Sequence, residues 1–365
     1  MSTELDLKLI PLEFEQTYFF EFLEKELELV NMYNYSTNCK VTQKEWNMSA
    51  ADTKHICLII KNRIDDLKLL NQITIENEKD IIFKILKEIL KQLNKYVKIN
   101  DGDTLKEFSN LNMIKNPIIN KNNEILVEDY KDKNVTYLDK LSNNMEFLKV
   151  GVCRDYSMYF LSIFQMLGFG LNQFTLVLLP CHVFVRYINK KLNLNFETMY
   201  GQRRFDKLIY SNEEYREKFN IIPVILEKSY YLKNCDENMI FSIFYNNYGI
   251  ILFKIFRENE KAEQNFKESI KLNPNGYDFY NNYNFFVIKV LDNYEKAIPN
   301  IKKIIEFNPT DAENYFIYGR ILEITGISNV EYISSVYVRY LKLITGYEDE
   351  ECIRYTKRYI EENKN

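Results

Sequence analysis

Residues 151–170 read GVCRDYSMYFLSIFQMLGFG, with a cysteine behind two small residues at the point where an apolar run begins. The run predicts a helix from Cys153 to about Leu167, stopped by Gly168-Phe169-Gly170. A thiol at the first helical turn meets unpaired backbone N–H groups and the positive end of the dipole, which together favour a thiolate. The bland alternative is a packed free thiol, since cysteine is among the most buried residues, but that reading leaves the helix-start position unexplained.

After this helix the periodicity changes from helical to alternating. QFTLVLL (173–179), HVFVRYI (182–188) and LNLNFETM (192–199) read as strands. A two-residue turn at Asn189-Lys190 would set His182 directly opposite Glu197, within reach of an imidazole–carboxylate hydrogen bond. Alternation places Val183, Val185 and Tyr187 with Leu192, Leu194 and Phe196 on a core face. His182 and Arg186 share the other face with Asn193, Asn195 and Glu197, so His182 is expected to point into a polar cleft and Cys181 to point inward. The order cysteine, histidine, acid then assigns three tasks: Cys153 attacks, His182 holds its proton, and Glu197 fixes the ring. For His182 the plainer reading is a satisfied strand histidine, and for Glu197 a surface carboxylate. Asp206, in GQRRFDK, is the fallback acid. Cys181 and Cys235 read as structural.

Upstream, three stretches carry apolar residues at three- and four-residue steps: 14–33, 54–73 and 77–97. They make residues 1–100 a helical region whose last helix belongs with the core. His55, on the second stretch, reads as a surface or packing residue. Residues 101–150 are polar and loop-rich. Downstream, FYNNYGIILFKIFRENEKAEQNFKESIKLNPN (244–275) aligns with FYNNYNFFVIKVLDNYEKAIPNIKKIIEFNPT (279–310) at a constant offset. Tyr248 matches Tyr283, Ala262 matches Ala297, and Pro274 matches Pro309. One further offset reaches Tyr318 and Gly319, and the remainder reads as a capping end.

Composition excludes several classes. The 48 basic and 52 acidic residues leave −4, with no basic tail to suggest nucleic acid. The N-terminus lacks a signal-peptide pattern, and no run of about 18 apolar residues suggests a membrane span. Six scattered cysteines read as reduced thiols in a cytoplasmic protein. With only two histidines, no C-x-x-C and no phosphate-binding glycine loop, no metal or cofactor is expected.

GVCRDYSMYFLSIFQMLGF, HVFVRY and NFETMYG together resemble the transglutaminase-like cysteine superfamily, over about residues 76–225. With SNEEYREKFNI and the repeats, the chain is similar to bacterial proteins joining a SirB1-like transglutaminase-fold domain to tetratricopeptide repeats. The resemblance implies an α+β fold: a helical N-terminal region (1–100), a papain-like helix-plus-antiparallel-sheet core (101–228) and an all-α tetratricopeptide array (229–365). It implies Cys153 as nucleophile, His182 as general base and Glu197 as orienting acid, where the family more often has aspartate. A small residue is expected before the histidine, where Cys181 stands. Two functions follow: a cysteine-dependent acyl-transfer enzyme whose repeats hold a protein or peptide, or a silent scaffold acting through the repeats.

Overall fold

The computed structural model describes residues 9–33, 43–99, 149–151, 153–190, 192–201, 205–345 and 349–363. The loop-rich reading of 101–148 and Cys39 lie outside the described residues. The fold is α+β, mostly helical with a small antiparallel sheet. It divides into two compact units, one reaching Phe219 and including Leu232–Glu237, the other formed by Asn220–Tyr231 and Asn238 onward. No described helix is long and apolar enough to cross a membrane.

In the first unit, α1 (Tyr18–Tyr33), α2 (Gln43–Asp66) and α3 (Glu78–Leu93) surround α4 (Cys153–Met166) and the sheet. On α3, Ile82, Ile85, Leu86, Ile89 and Leu93 repeat at helical spacing and are all fully buried, so one apolar stripe explains its packing. α4 differs, because every residue from Asp155 to Met166 is buried. A helix buried on every side belongs at the centre, and α4 occupies it. Phe19 meets Tyr159 edge-on at 5.0 Å, while Phe164 stacks on Phe174 at 3.6 Å. The helix stops as its sequence predicts: Gly168 takes φ +100°, and a Cβ there would sit 2.8 Å from the Ile10 amide.

Two strands escaped the sequence reading. β1 (Val97–Ile99) and β2 (Lys149–Gly151) pair in parallel, and β2 delivers the chain into α4. Three-residue strands give too short an alternation to recognise.

The main sheet has the order β3 (Phe174–Leu179), β4 (His182–Ile188), β5 (Asn193–Phe196). β3 and β4 turn through Pro180-Cys181, with Leu179 opposite His182. Between β4 and β5 the register differs from the expected one: Ile188 pairs with Asn193 and Val185 with Phe196, a slip of two residues. The turn sits one residue later than expected because Asn189 closes it: its N–H donates to the Leu192 carbonyl at 2.8 Å, and its Oδ1 accepts from the Leu192 N–H at 2.6 Å. Leu192 therefore falls in the loop rather than on the strand. The slip is even, so every side chain keeps its predicted face.

The second unit is helical throughout its described residues. α6 (Pro223–Lys228) precedes α7 (Glu237–Ile251), whose end widens into a π turn at Leu252–Phe256. Then follow α8 (Asn259–Leu272), α9 (Tyr277–Lys289), α10 (Tyr294–Phe307), α11 (Ala312–Thr325), α12 (Val330–Leu343) and α13 (Glu350–Glu362). The starts of α8 and α10 fall at Asn259 and Tyr294, and those of α9 and α11 at Tyr277 and Ala312, the same spacing as the sequence repeat. Ala262 and Ala297 are fully buried, and Tyr248, Tyr283 and Tyr318 are buried at successive equivalent positions. Close approach explains Gly319: a Cβ there would lie 2.4 Å from the Tyr337 ring.

Candidate active site

α4 presents Cys153 as its first residue, half-buried, where the helix N–H groups have no intrahelical partner. β4 presents His182 as its first residue, 8 % exposed, and Glu197 follows the end of β5, fully buried. His182 Nε2 lies 2.9 Å from Glu197 Oε2. With the observed register the two are diagonal rather than directly opposite. Diagonal neighbours are about 7–8 Å apart at Cα, a span that two long side chains close. Cys153 lies close enough to the imidazole to interact with it and favour its charged form. Cysteine, histidine and glutamate are thus brought together, and Asp206 is not. Asp206 is exposed and accepts the Tyr210 hydroxyl at 2.7 Å.

Glu197 is held by three donors. Besides His182, the Tyr215 hydroxyl donates to Oε2 at 3.0 Å and the Met199 N–H donates to Oε1 at 2.8 Å. Tyr215 was missed from sequence, although its position rests on a legible signal. Ser211 and Glu214 form a reciprocal capping box, Glu214 N–H to Ser211 Oγ at 3.1 Å and Ser211 N–H to Glu214 Oε2 at 2.7 Å. That box starts α5 (Asn212–Lys218) and sets Tyr215 over Phe184 at 4.2 Å, facing Glu197. Burial and the Glu197 carboxylate push the Tyr215 hydroxyl far up, so it stays a donor.

The expected polar cleft is instead a buried polar layer. His182, Arg186, Asn195 and Glu197 are all under a tenth exposed. α5 and the segment at 232–235 cover this face, a contact across sequence that strand alternation cannot reveal. Two rings flank the imidazole, Phe205 at 4.6 Å and Phe219 at 5.6 Å, both nearly parallel to it. Arg186 braces the layer. Its guanidinium donates to Asn195 Oδ1 at 2.6 Å, to Asn234 Oδ1 and Asn212 Oδ1 at 2.7 Å, and to the Leu232 carbonyl at 3.1 Å.

Cys181 does not point inward. It is exposed, with φ +53°, in the second position of the Pro180-Cys181 turn. Proline first and a left-handed residue second is the arrangement of a type II turn, which favours glycine there. The small residue expected before the histidine is therefore a backbone requirement that Cys181 meets under strain. Cys57 and Cys235 are buried, and burial pushes the Cys235 thiol up. Among the described residues no three His, Cys, Asp or Glu side chains converge as metal ligands would.

Burial works against a charged His182, but the Glu197 carboxylate and the interaction with Cys153 outweigh it, raising the group from 6.5 to about 10. The folded value lies above the unfolded one. The stabilisation is therefore complete below about pH 6.5 and is lost as pH rises through about 10. Urea midpoints measured across this window should fall more steeply for the wild type than for His182→Gln, and parallel curves would contradict the linkage. Neither a protein-family model nor a curated protein matches the chain.

Proposed function

We propose that the chain is a cytoplasmic, cysteine-dependent acyl-transfer enzyme with a transglutaminase-like core and a tetratricopeptide array that holds a protein or peptide. The observation that carries this reading is His182 bridging Cys153 and Glu197 at the start of a buried helix. In the proposed cycle the Cys153 sulfur, its proton resting on His182, attacks an amide carbonyl. A C–S bond forms, and the carbonyl oxygen takes the electron pair near the unpaired N–H groups of the first turn of α4. Collapse breaks the C–N bond, and His182 gives its proton to the departing amine. A water or a second amine then attacks the thioester, His182 takes its proton, and Cys153 is released. Glu197 keeps the ring oriented and balances its charge throughout. Phe205 and Phe219 limit water at the imidazole face.

The array reading is supported by helix pairs recurring at the period of the sequence repeat, with small residues where helices cross. Intact-mass detection of an acyl adduct tests the enzyme reading. The protein is incubated with a panel of p-nitrophenyl esters and peptide amides, with a peptide mass map locating the adduct. The adduct and turnover should appear on Cys153 and vanish in Cys153→Ala, which trims one small side chain and should leave the circular dichroism unchanged. Turnover surviving in Cys153→Ala removes Cys153 as the nucleophile, and no adduct or turnover from any member of the panel favours the silent scaffold.

A further inference from the structure

A cavity of about 940 Å³ opens within the second unit, against α9, α10 and α11 and the first turn of α13. At its wall the second repeat departs from its neighbours at two positions. In the first repeat Gly249 is pressed against the Phe266 ring, and in the third Gly319 is pressed against the Tyr337 ring. The residues of the second repeat equivalent to Gly249 and Phe266 are Asn284 and Ile301, and both line the cavity; Gly319 is one further offset on, while Tyr337 stands one residue past the offset from Ile301. Asn284 is 5 % exposed, and its Oδ1 accepts no hydrogen bond. Packing alone would be served by the glycine and aromatic of the sister repeats, whereas a buried amide left unsatisfied destabilises the fold.

The surroundings describe what would satisfy it. Phe285 and Ile324 stand on the cavity wall about half exposed, at 51 % and 50 %, which suits an apolar side chain. Of the charged residues lining the cavity, Arg320 is neutralised by Glu323 at 2.7 Å. Asp311, Glu313 and Asp349 outnumber the single Lys289, the two aspartates also capping α11 and α13 by accepting the Glu313 and Glu351 N–H groups at 3.0 and 2.7 Å. A donor at Asn284, an apolar contact and a positive charge are needed together. A peptide backbone supplies the N–H, and its side chains supply the rest.

We infer that this cavity binds an extended peptide segment in which leucine-like residues alternate with lysine or arginine, with a backbone N–H donated to Asn284 Oδ1. This rests on reading the second unit as a peptide-binding array and is independent of the chemistry at Cys153. The test is fluorescence polarisation at 0.15 M salt on full-length Cys153→Ala protein, so that a bound peptide is not processed. The probes are fluorescein-labelled Ala-Lys-Leu-Lys-Leu-Lys-Ala and its counterpart with glutamate in place of lysine. The lysine peptide should bind at least about tenfold tighter than the glutamate peptide. Asn284→Leu, nearly isosteric and free of the buried amide, should weaken it by about five- to tenfold without lowering the melting temperature. Glu313→Lys, an exposed position, should weaken it as well, while Glu268→Lys on α8 should not. Equal binding of both peptides, or wild-type affinity in Asn284→Leu, overturns the cavity assignment but leaves the array as a binder. Absence of binding by either peptide at millimolar concentration counts against both.

Discussion

In His182→Gln, alkylation of Cys153 by dilute iodoacetamide at neutral pH should slow by about 10- to 100-fold. In the wild type Cys153 should be labelled first, ahead of Cys181 and Cys352. Accessibility alone predicts the opposite order, because Cys181 is exposed while Cys153 is half-buried. What favours Cys153 is its setting: the unpaired N–H groups at the start of α4, and an imidazole that already carries the proton at neutral pH. Glutamine keeps the volume and a hydrogen-bonding head but cannot hold that proton. Glu197→Gln should cost less, since the Met199 N–H can still donate to the amide oxygen and hold the side-chain head while its charge is lost. Site-resolved mass spectrometry over a time course reads all the thiols at once. Labelling of Cys181 before Cys153, or an unchanged Cys153 rate in His182→Gln, would remove the basis for a nucleophile.

The largest effect on stability should come from Arg186. Arg186→Met should destabilise the first unit by about 3–5 kcal/mol, since each buried acceptor left without a donor costs about 1–3 kcal/mol. For a unit of this size that is on the order of 10 °C in its melting transition. The side chain is 4 % exposed and burial pulls it down to about 10, yet the four acceptors around it are three asparagine amides and a backbone carbonyl. They belong to β5, to the start of α5 and to the segment at 232–234. Methionine fills the space but removes the guanidinium donor from all four acceptors, and among the described residues only Asn212 Oδ1 keeps another one, the Asn195 Nδ2–H at 3.0 Å. Arg186→Lys should recover only part of the loss, because a single ammonium cannot reach in three directions as the guanidinium fork does. Urea unfolding followed by tyrosine fluorescence gives the difference. A loss below about 1 kcal/mol would show that water replaces the guanidinium there.

The chain's local grammar determined much of this protein. The apolar run behind Cys153, the glycine stop at Gly168 and the period-two alternation of 182–188 are near-neighbour properties, so their elements were legible without a fold. The internal repeat was legible for the same reason, since each helix pair carries its own pattern. Even the facing of His182 and Glu197 could be read, because strand parity survives a slip of two residues. Only the tertiary structure decided the rest. Asn189 closing its loop set the register and made the histidine–glutamate contact diagonal. α5, brought over β4 from later in the chain, turned the anticipated cleft into a buried layer and supplied Tyr215. Arg186 found its acceptors on three separate segments. Such contacts depend on which surfaces meet after the chain has folded back on itself, and neither periodicity nor spacing records that meeting.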